Sequence, residues 1–205
     1  MDEGKLLGHI ISKYGIRIDP AQVEAIQKID LPWNKKEIQS FNGKMNFLRH
    51  FVPNLVEYLR EITDMLKKDN AVKWPEEAVK SFNLVKLVLS SAPVLISPDY
   101  TQDFILFSFA SEHTMAAVLM QKRDQHEKPI AFFSQTIRDA ALNYNIIEKK
   151  ALTLVKALKY FRVYILHSHI LSYVPNAVVK DVLVKIDPEG DGADGLLPCW
   201  SMMWR

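Results

Sequence analysis

The sequence predicts an α+β chain in two parts, a helical segment followed by a mixed β-sheet with helices packed on it. Two changes of rhythm carry that expectation. Up to about residue 92, apolar residues recur every three or four positions, the spacing that keeps them on one face of a helix. From Asp103 they alternate, which lines one face of a strand, and the helical period returns at about 144–166. The resulting second-half order, β-β-β-α-β-α, suits a sheet covered by helices.

Residues 6–18 alternate around Tyr14-Gly15, which predicts a hairpin. Asp19 then offers a side-chain acceptor and Pro20 a preset φ, so a helix starts there and runs to about residue 29. Asn34 with Glu37 three positions later predicts a capping box for a helix whose Ile38, Phe41, Met45 and Leu48 share one face. The same spacing recurs at Asn54 and Glu57, with Val56, Leu59, Ile62 and Leu66 as the apolar stripe. Trp74-Pro75-Glu76-Glu77 opens another helix, with proline and dipole-complementing acids in its first turn and Phe82, Val85 and Leu89 facing inward. Pro93 and Pro98 close the helical part. Strands are predicted near 103–109, 114–121 and 129–134, with His126-Glu127-Lys128-Pro129 as a turn. The long helix places Ile147, Ala151, Leu154, Leu158, Phe161 and Ile165 on one face and Lys149, Lys156 and Lys159 off it. A strand near 168–174 and a helix near 177–185 complete the order, and periodicity is lost after Pro188.

With 205 residues, 48% of them hydrophobic, the chain can bury a core and make two small domains, 1–92 and 93–187, with 188–205 as a tail. The net charge is +2, and basic residues barely exceed acidic ones in either part, 14 against 12 in 1–92 and 11 against 9 in 93–187. Any basic patch must therefore come from folding. The single Cys199 excludes an internal disulfide framework and a multi-cysteine zinc site. No apolar run approaches the roughly 20 residues of a membrane helix, so no membrane partner is expected. Met-Asp-Glu-Gly lacks the basic start of a signal peptide, so an intracellular setting is expected, cytoplasmic or nuclear alike.

Several segments then carry a family resemblance through their order and spacing: Leu7–Pro20, Ser40–Pro53, Trp74 with Lys80-Ser81-Phe82, Ala92–Leu95, Phe104–Ser111, Asn143–Lys150 and Leu166–Asn176. Over about residues 6–187 the chain resembles the pol polyprotein of gypsy-type LTR retrotransposons, from the end of the reverse transcriptase into the ribonuclease H domain. Asn42 departs from the pattern, where the family usually has leucine. The resemblance implies a palm-end hairpin and helical thumb/connection in 1–92, a degenerate, truncated ribonuclease H-like mixed sheet with helices in 93–187, and an aberrant tail in 188–205.

It also implies where chemistry should stand. Hydrolysis of an RNA strand by two magnesium ions requires converging carboxylates. The resemblance places them at Phe109, Lys150 and Pro175, none of which binds magnesium, and Phe109 reads as one more core residue beside Ile105 and Phe107. Neighbours do not rescue the site. Glu148 lies about 200° around the helix from Lys150, Glu112 falls beyond the strand end, and Asp103 is about 20 Å along the strand from Phe109. No Tyr-x-Asp-Asp is present for a polymerase, and His167 with His169 lacks a third metal ligand. The expected function is that of a noncatalytic remnant, with no cofactor where active family members use magnesium. It would serve as a structural tether to other pol domains, or contact an RNA–DNA or DNA duplex through its backbone, with Lys35, Lys36, Lys44 and Arg49 as candidates. The rivals are an active RNA–DNA hybrid ribonuclease, a host-recruited interaction module and a decayed reading frame. The last is favoured by the tail, because residues 194–205 back-translated one base earlier resemble the family's continuation.

Overall fold

The computed structural model describes residues 3–67, 70–166, 168–174 and 200–204. The chain divides into two compact units, Met1–Ile96 and Ser97–Arg205.

The first unit opens with a three-stranded antiparallel meander, β1 (Glu3–Leu6), β2 (His9–Ser12) and β3 (Gly15–Ile18). The predicted hairpin is β2–β3, and β1 joins it through a tight turn at Leu7-Gly8, both with positive φ. At Gly15 the strand exchanges hydrogen bonds with Leu95 (Ile16 N–H to the Leu95 carbonyl, 2.7 Å; Leu95 N–H to the Ile16 carbonyl, 2.8 Å). With φ at 132°, and the Leu95 carbonyl lying where a Cβ would go, only glycine fits there.

Asp19 caps α1 (Pro20–Gln27) by accepting from the Ala21 N–H. Asn34 caps α2 (Lys35–Leu48) by accepting from the Glu37 N–H at 3.0 Å, but Glu37 reaches back to the Trp33 N–H at 2.7 Å, one residue short of a true box. After a 3₁₀ turn, Arg49–Phe51, Asn54 does not cap α3 (Leu55–Asp64) as expected: its left-handed backbone, φ 45°, leaves its side chain without a capping bond. The stripe of α3 shifts accordingly, with Leu55 and Met65 buried beside Leu59 and Ile62, while Val56 and Leu66 are half-buried. In α4 (Glu76–Ser90), Pro75 stands at the cap position, just outside the first turn. Ile38, Phe41, Met45, Leu48, Phe82, Val85 and Leu89 are all buried, and burying each such large apolar side chain contributes about 1.5–3 kcal/mol. Phe41 and Trp74 both meet the Phe82 ring, at 4.9 and 5.6 Å.

The second unit is a five-stranded sheet in the order β6-β5-β4-β7-β8. β4 (Phe104–Ala110), β5 (Thr114–Arg123) and β6 (His126–Thr136) pair antiparallel; β7 (Ile170–Val174) is parallel to β4, and β8 (Trp200–Trp204) is parallel to β7. His126–Pro129, expected as a turn, belongs to β6. The turn is Asp124-Gln125, whose φ values of 51° and 66° match the twist of a two-residue hairpin. Pro129 is tolerated because β6 is an edge strand whose register shifts nearby, between Leu119 and Met120. Although periodicity is lost after Pro188, the apolar Trp-Ser-Met-Met-Trp run, rich in strand-forming aromatic residues, pairs along β7.

The long helix α5 (Ile146–Ile165) starts with a full capping box between Asn145 and Glu148. Its predicted face is buried from Ala151 to Ile165, with Ile147 half-buried. Lys149, expected off that face, is buried, because its ammonium reaches the Glu112 carbonyl in the β4–β5 turn at 2.9 Å. Phe133 packs on Tyr160 and Phe161 of α5 and lies in register with Ala117, which pairs with Ser108. Cross-strand partners point the same way, so α5 covers the face carrying Phe104, Leu106, Ser108 and Ala110. The expected helix at 177–185 lies outside the described residues, as do Pro175, His167, Lys68 and Cys199.

Candidate functional site

Phe109 is not the core residue expected from its parity with Ile105 and Phe107. Ile105 is buried and Phe107 stacks on Tyr173 at 4.9 Å, but Phe109 is 58% exposed. Among the described residues β7 runs beside β4 only from Phe104 to Phe107, and Ala116, opposite Phe109 on β5, is too small to cover its ring. Phe109 points to the face away from α5, while Lys150 sits half-buried in the first part of α5 itself. The neighbouring acids are committed elsewhere or exposed. Glu148 Oε2 accepts from the Asn145 N–H at 2.9 Å, Asp103 pairs with His169 at 3.1 Å, and Glu112 is exposed in the turn. Among the described residues no three His, Cys, Asp or Glu side chains are grouped to hold a metal ion. Magnesium selects oxygen ligands, and neither Phe109 nor Lys150 supplies one, so the residues present do not fit the two-metal centre that the resemblance implies.

The four cationic candidates do not form one patch. Lys35 donates to the Lys67 carbonyl at 2.7 Å, tying the start of α2 to the end of α3, and Arg49 donates to Asn46 Oδ1 at 3.3 Å. Lys36 and Lys44 are exposed, and Lys44 lies about 180° around the helix from Lys35. Lys44 stands at a groove of about 620 Å³ between α1 and α2, walled by Gln22, Ile26 and Ile29 on one side and by Gly43, Phe47 and Leu48 on the other. Sequence reasoning missed two residues there. Gly43 sits in mid-helix, where glycine costs about 1 kcal/mol relative to alanine, and a Cβ on it would meet nothing within 4 Å, so packing does not require the glycine. Its effect is to leave helix backbone open to close approach. Phe47, one turn on, is 45% exposed, so the Gly43/Phe47 spacing off the buried face was the available signal.

Behind Phe47 stands His9 from β2, its ring 5.0 Å from both Phe47 and Phe51. Nearby, His50 has its pKa pushed below the usual imidazole value, chiefly by lost solvation and then by the charges of Arg49 and His9.

Residues 74–171 match the family described as the RNase H-like domain found in reverse transcriptase. The match begins at Trp74, so it takes in α4, whose contacts lie with the helices of the first unit. The chain is 36% identical over 165 residues to the retrovirus-related Pol polyprotein from transposon 297 of Drosophila melanogaster, covering 80% of this chain and 15% of that protein. It is 29% identical over 199 residues to the transposon Tf2-3 polyprotein of Schizosaccharomyces pombe, covering 97% of this chain and again 15% of the relative. The chain thus spans 15% of the length of these curated relatives. A foamy viral protease-reverse transcriptase in complex with dsDNA shares the fold over 100% of this chain and 45% of its own, with TM-score 0.80 and 23% identity. A second, in complex with an RNA/DNA hybrid, gives TM-score 0.77 and 22% identity over 100% of this chain and 29% of its own. On these matches the chain is similar to retrotransposon Pol polyproteins over most of its length, and its residues 74–171 match the RNase H-like domain found in reverse transcriptase.

Proposed function

We propose that this chain is a noncatalytic scaffold of a gypsy-type Pol polyprotein. Residues 1–92 act as palm-end hairpin and helical thumb/connection, and the ribonuclease H-like part serves as a structural tether to other pol domains. The observation that carries this reading is the set of residues at the expected carboxylate positions, an exposed phenyl ring, a lysine and a proline at 109, 150 and 175. A two-metal cut needs oxygen ligands there.

The partner is a nucleic-acid duplex held through its backbone by the groove between α1 and α2. Gly43 admits close approach, Lys44 supplies the cation at the rim, and Phe47 offers apolar contact. Both foamy viral relatives of this fold are described with a duplex, one with dsDNA and one with an RNA/DNA hybrid, which supports the assignment. Such binding is indifferent to sequence and weakens steeply with salt.

The test is incubation of the chain with a labelled RNA–DNA hybrid in magnesium, beside a variant carrying Phe109→Asp, Lys150→Glu and Pro175→Asp. No cleavage by the unmodified chain is expected, and activity gained by the variant would locate the lost site. Magnesium-dependent cleavage by the unmodified chain, surviving removal of contaminating nuclease, would restore the enzyme reading.

A further inference from the structure

We infer that His9 is a positioning residue for the groove, holding Phe47 in its wall; the inference rests on the duplex reading given above. Phe47 is 45% exposed, so on its solvent side nothing fixes the ring. Its support comes from behind. His9 lies between Phe47, tilted at 31°, and Phe51, stacked at 17°, with both centroids 5.0 Å away. Phe51 is buried, so the three rings run from an anchored one to an exposed one through the imidazole.

His9 Nε2 is buried and makes no hydrogen bond, so the ring acts here as a flat spacer. The chain geometry supplies the aim. Gly8, with φ 75°, turns β1 into β2 immediately before His9, and its carbonyl accepts from the Asp19 N–H at 3.1 Å. Gly8 also abuts the Gln22 side chain, which lines the opposite wall of the same groove. The hairpin therefore touches both walls, Gln22 through Gly8 and Phe47 through His9, and sets the groove's shape without lining it.

The experiment measures binding of the full chain to a labelled blunt DNA duplex by fluorescence anisotropy, at a temperature below every variant's melting transition. Phe47→Ala and His9→Ala should each weaken binding about five-fold, the effect of losing one aromatic pair. The double variant should be little weaker than either, because the two rings act as one unit. His9→Phe, which keeps the flat ring and drops the unbonded nitrogen, should bind like the unmodified chain. If His9→Ala lowers the melting temperature but leaves Kd unchanged while Phe47→Ala weakens binding, His9 is only structural and the inference falls alone. If the unmodified chain does not bind, or Phe47→Ala binds as well as it does, the groove reading falls and takes this inference with it. Failure of His9→Phe to restore affinity also overturns the inference.

Discussion

Gln27 and Lys86 grip each other's main chain: Gln27 Nε2 donates to the Lys86 carbonyl at 2.6 Å, and Lys86 Nζ donates to the Gln27 carbonyl at 3.0 Å. The ammonium also donates to the Ile29 carbonyl and lies over the Phe82 ring, 4.5 Å from its centre. The last carbonyls of α1 have no helical partner, and a cation there complements the dipole, so one side chain on α4 finishes α1. Lys86→Met should lower stability by about 1–2 kcal/mol, read by chemical denaturation. Desolvation holds the Lys86 pKa below its usual 10.5, outweighing the pull of Asp30. The unfolded chain therefore binds this proton more tightly, and the penalty fades as pH rises through the folded pKa towards 10.5. The stability difference between unmodified chain and Lys86→Met should grow over that alkaline window; a flat difference would remove desolvation as the cause.

Gln121 is fully buried and makes three bonds to one surface turn. Its Oε1 accepts from the Asp99 N–H at 2.9 Å, while Nε2 donates to the Asp99 and Gln102 carbonyls at 2.8 and 3.1 Å. Gln121→Leu keeps the volume and strands the Asp99 N–H and the Gln102 carbonyl, while the Asp99 carbonyl keeps the Gln102 N–H, so it should cost about 2–4 kcal/mol. Thermal unfolding checks this, and a loss under about 1 kcal/mol would mean that water replaces the side chain.

Asp19 joins the meander to α1, capping Ala21 and pairing with Lys5 of β1. Its hydrogen bond with Lys5 first, and the Ala21 N–H second, hold its carboxyl below the ordinary value of 3.8. A depressed carboxylate stabilises the native state above the unfolded pKa, and that contribution is lost as pH falls through the folded pKa. Asn keeps the cap and removes the charge. The unmodified chain should therefore exceed Asp19→Asn in stability at neutral pH and converge with it as pH falls below 3.8 and through the folded pKa; a gap unchanged in acid would exclude the Lys5 pair as its source.

How much of this was legible follows from the range of each interaction. The α2 face and the Asn34 cap depend on residues within one turn of each other, and the sequence spacing sufficed. Lys149 was misread because its partner carbonyl is 37 positions away, and a long side chain can bury itself on a contact that periodicity does not report. The Asp124-Gln125 turn hid because neither residue is glycine, although both adopt positive φ. The groove was half legible. Gly43 and Phe47 are four apart, but the imidazole behind Phe47 comes from 38 positions upstream on another strand.

Phe109 was the most distant misreading, since its exposure depends on its neighbours across the sheet, and that exposure makes the cleavage test interpretable. An apolar ring 58% open to solvent gives little to the core, so Phe109→Asp should change stability by no more than about 0.5 kcal/mol. Ile105→Asp, on the same strand and face but buried, should cost several-fold more, because it buries an unpaired charge. Lys150→Glu places an acid near the start of α5, where the dipole favours it. Melting curves of the two single variants should overlay that of the unmodified chain. Silence from the folded triple variant would then speak about chemistry, whereas a collapse of Phe109→Asp would show that the ring is covered in solution.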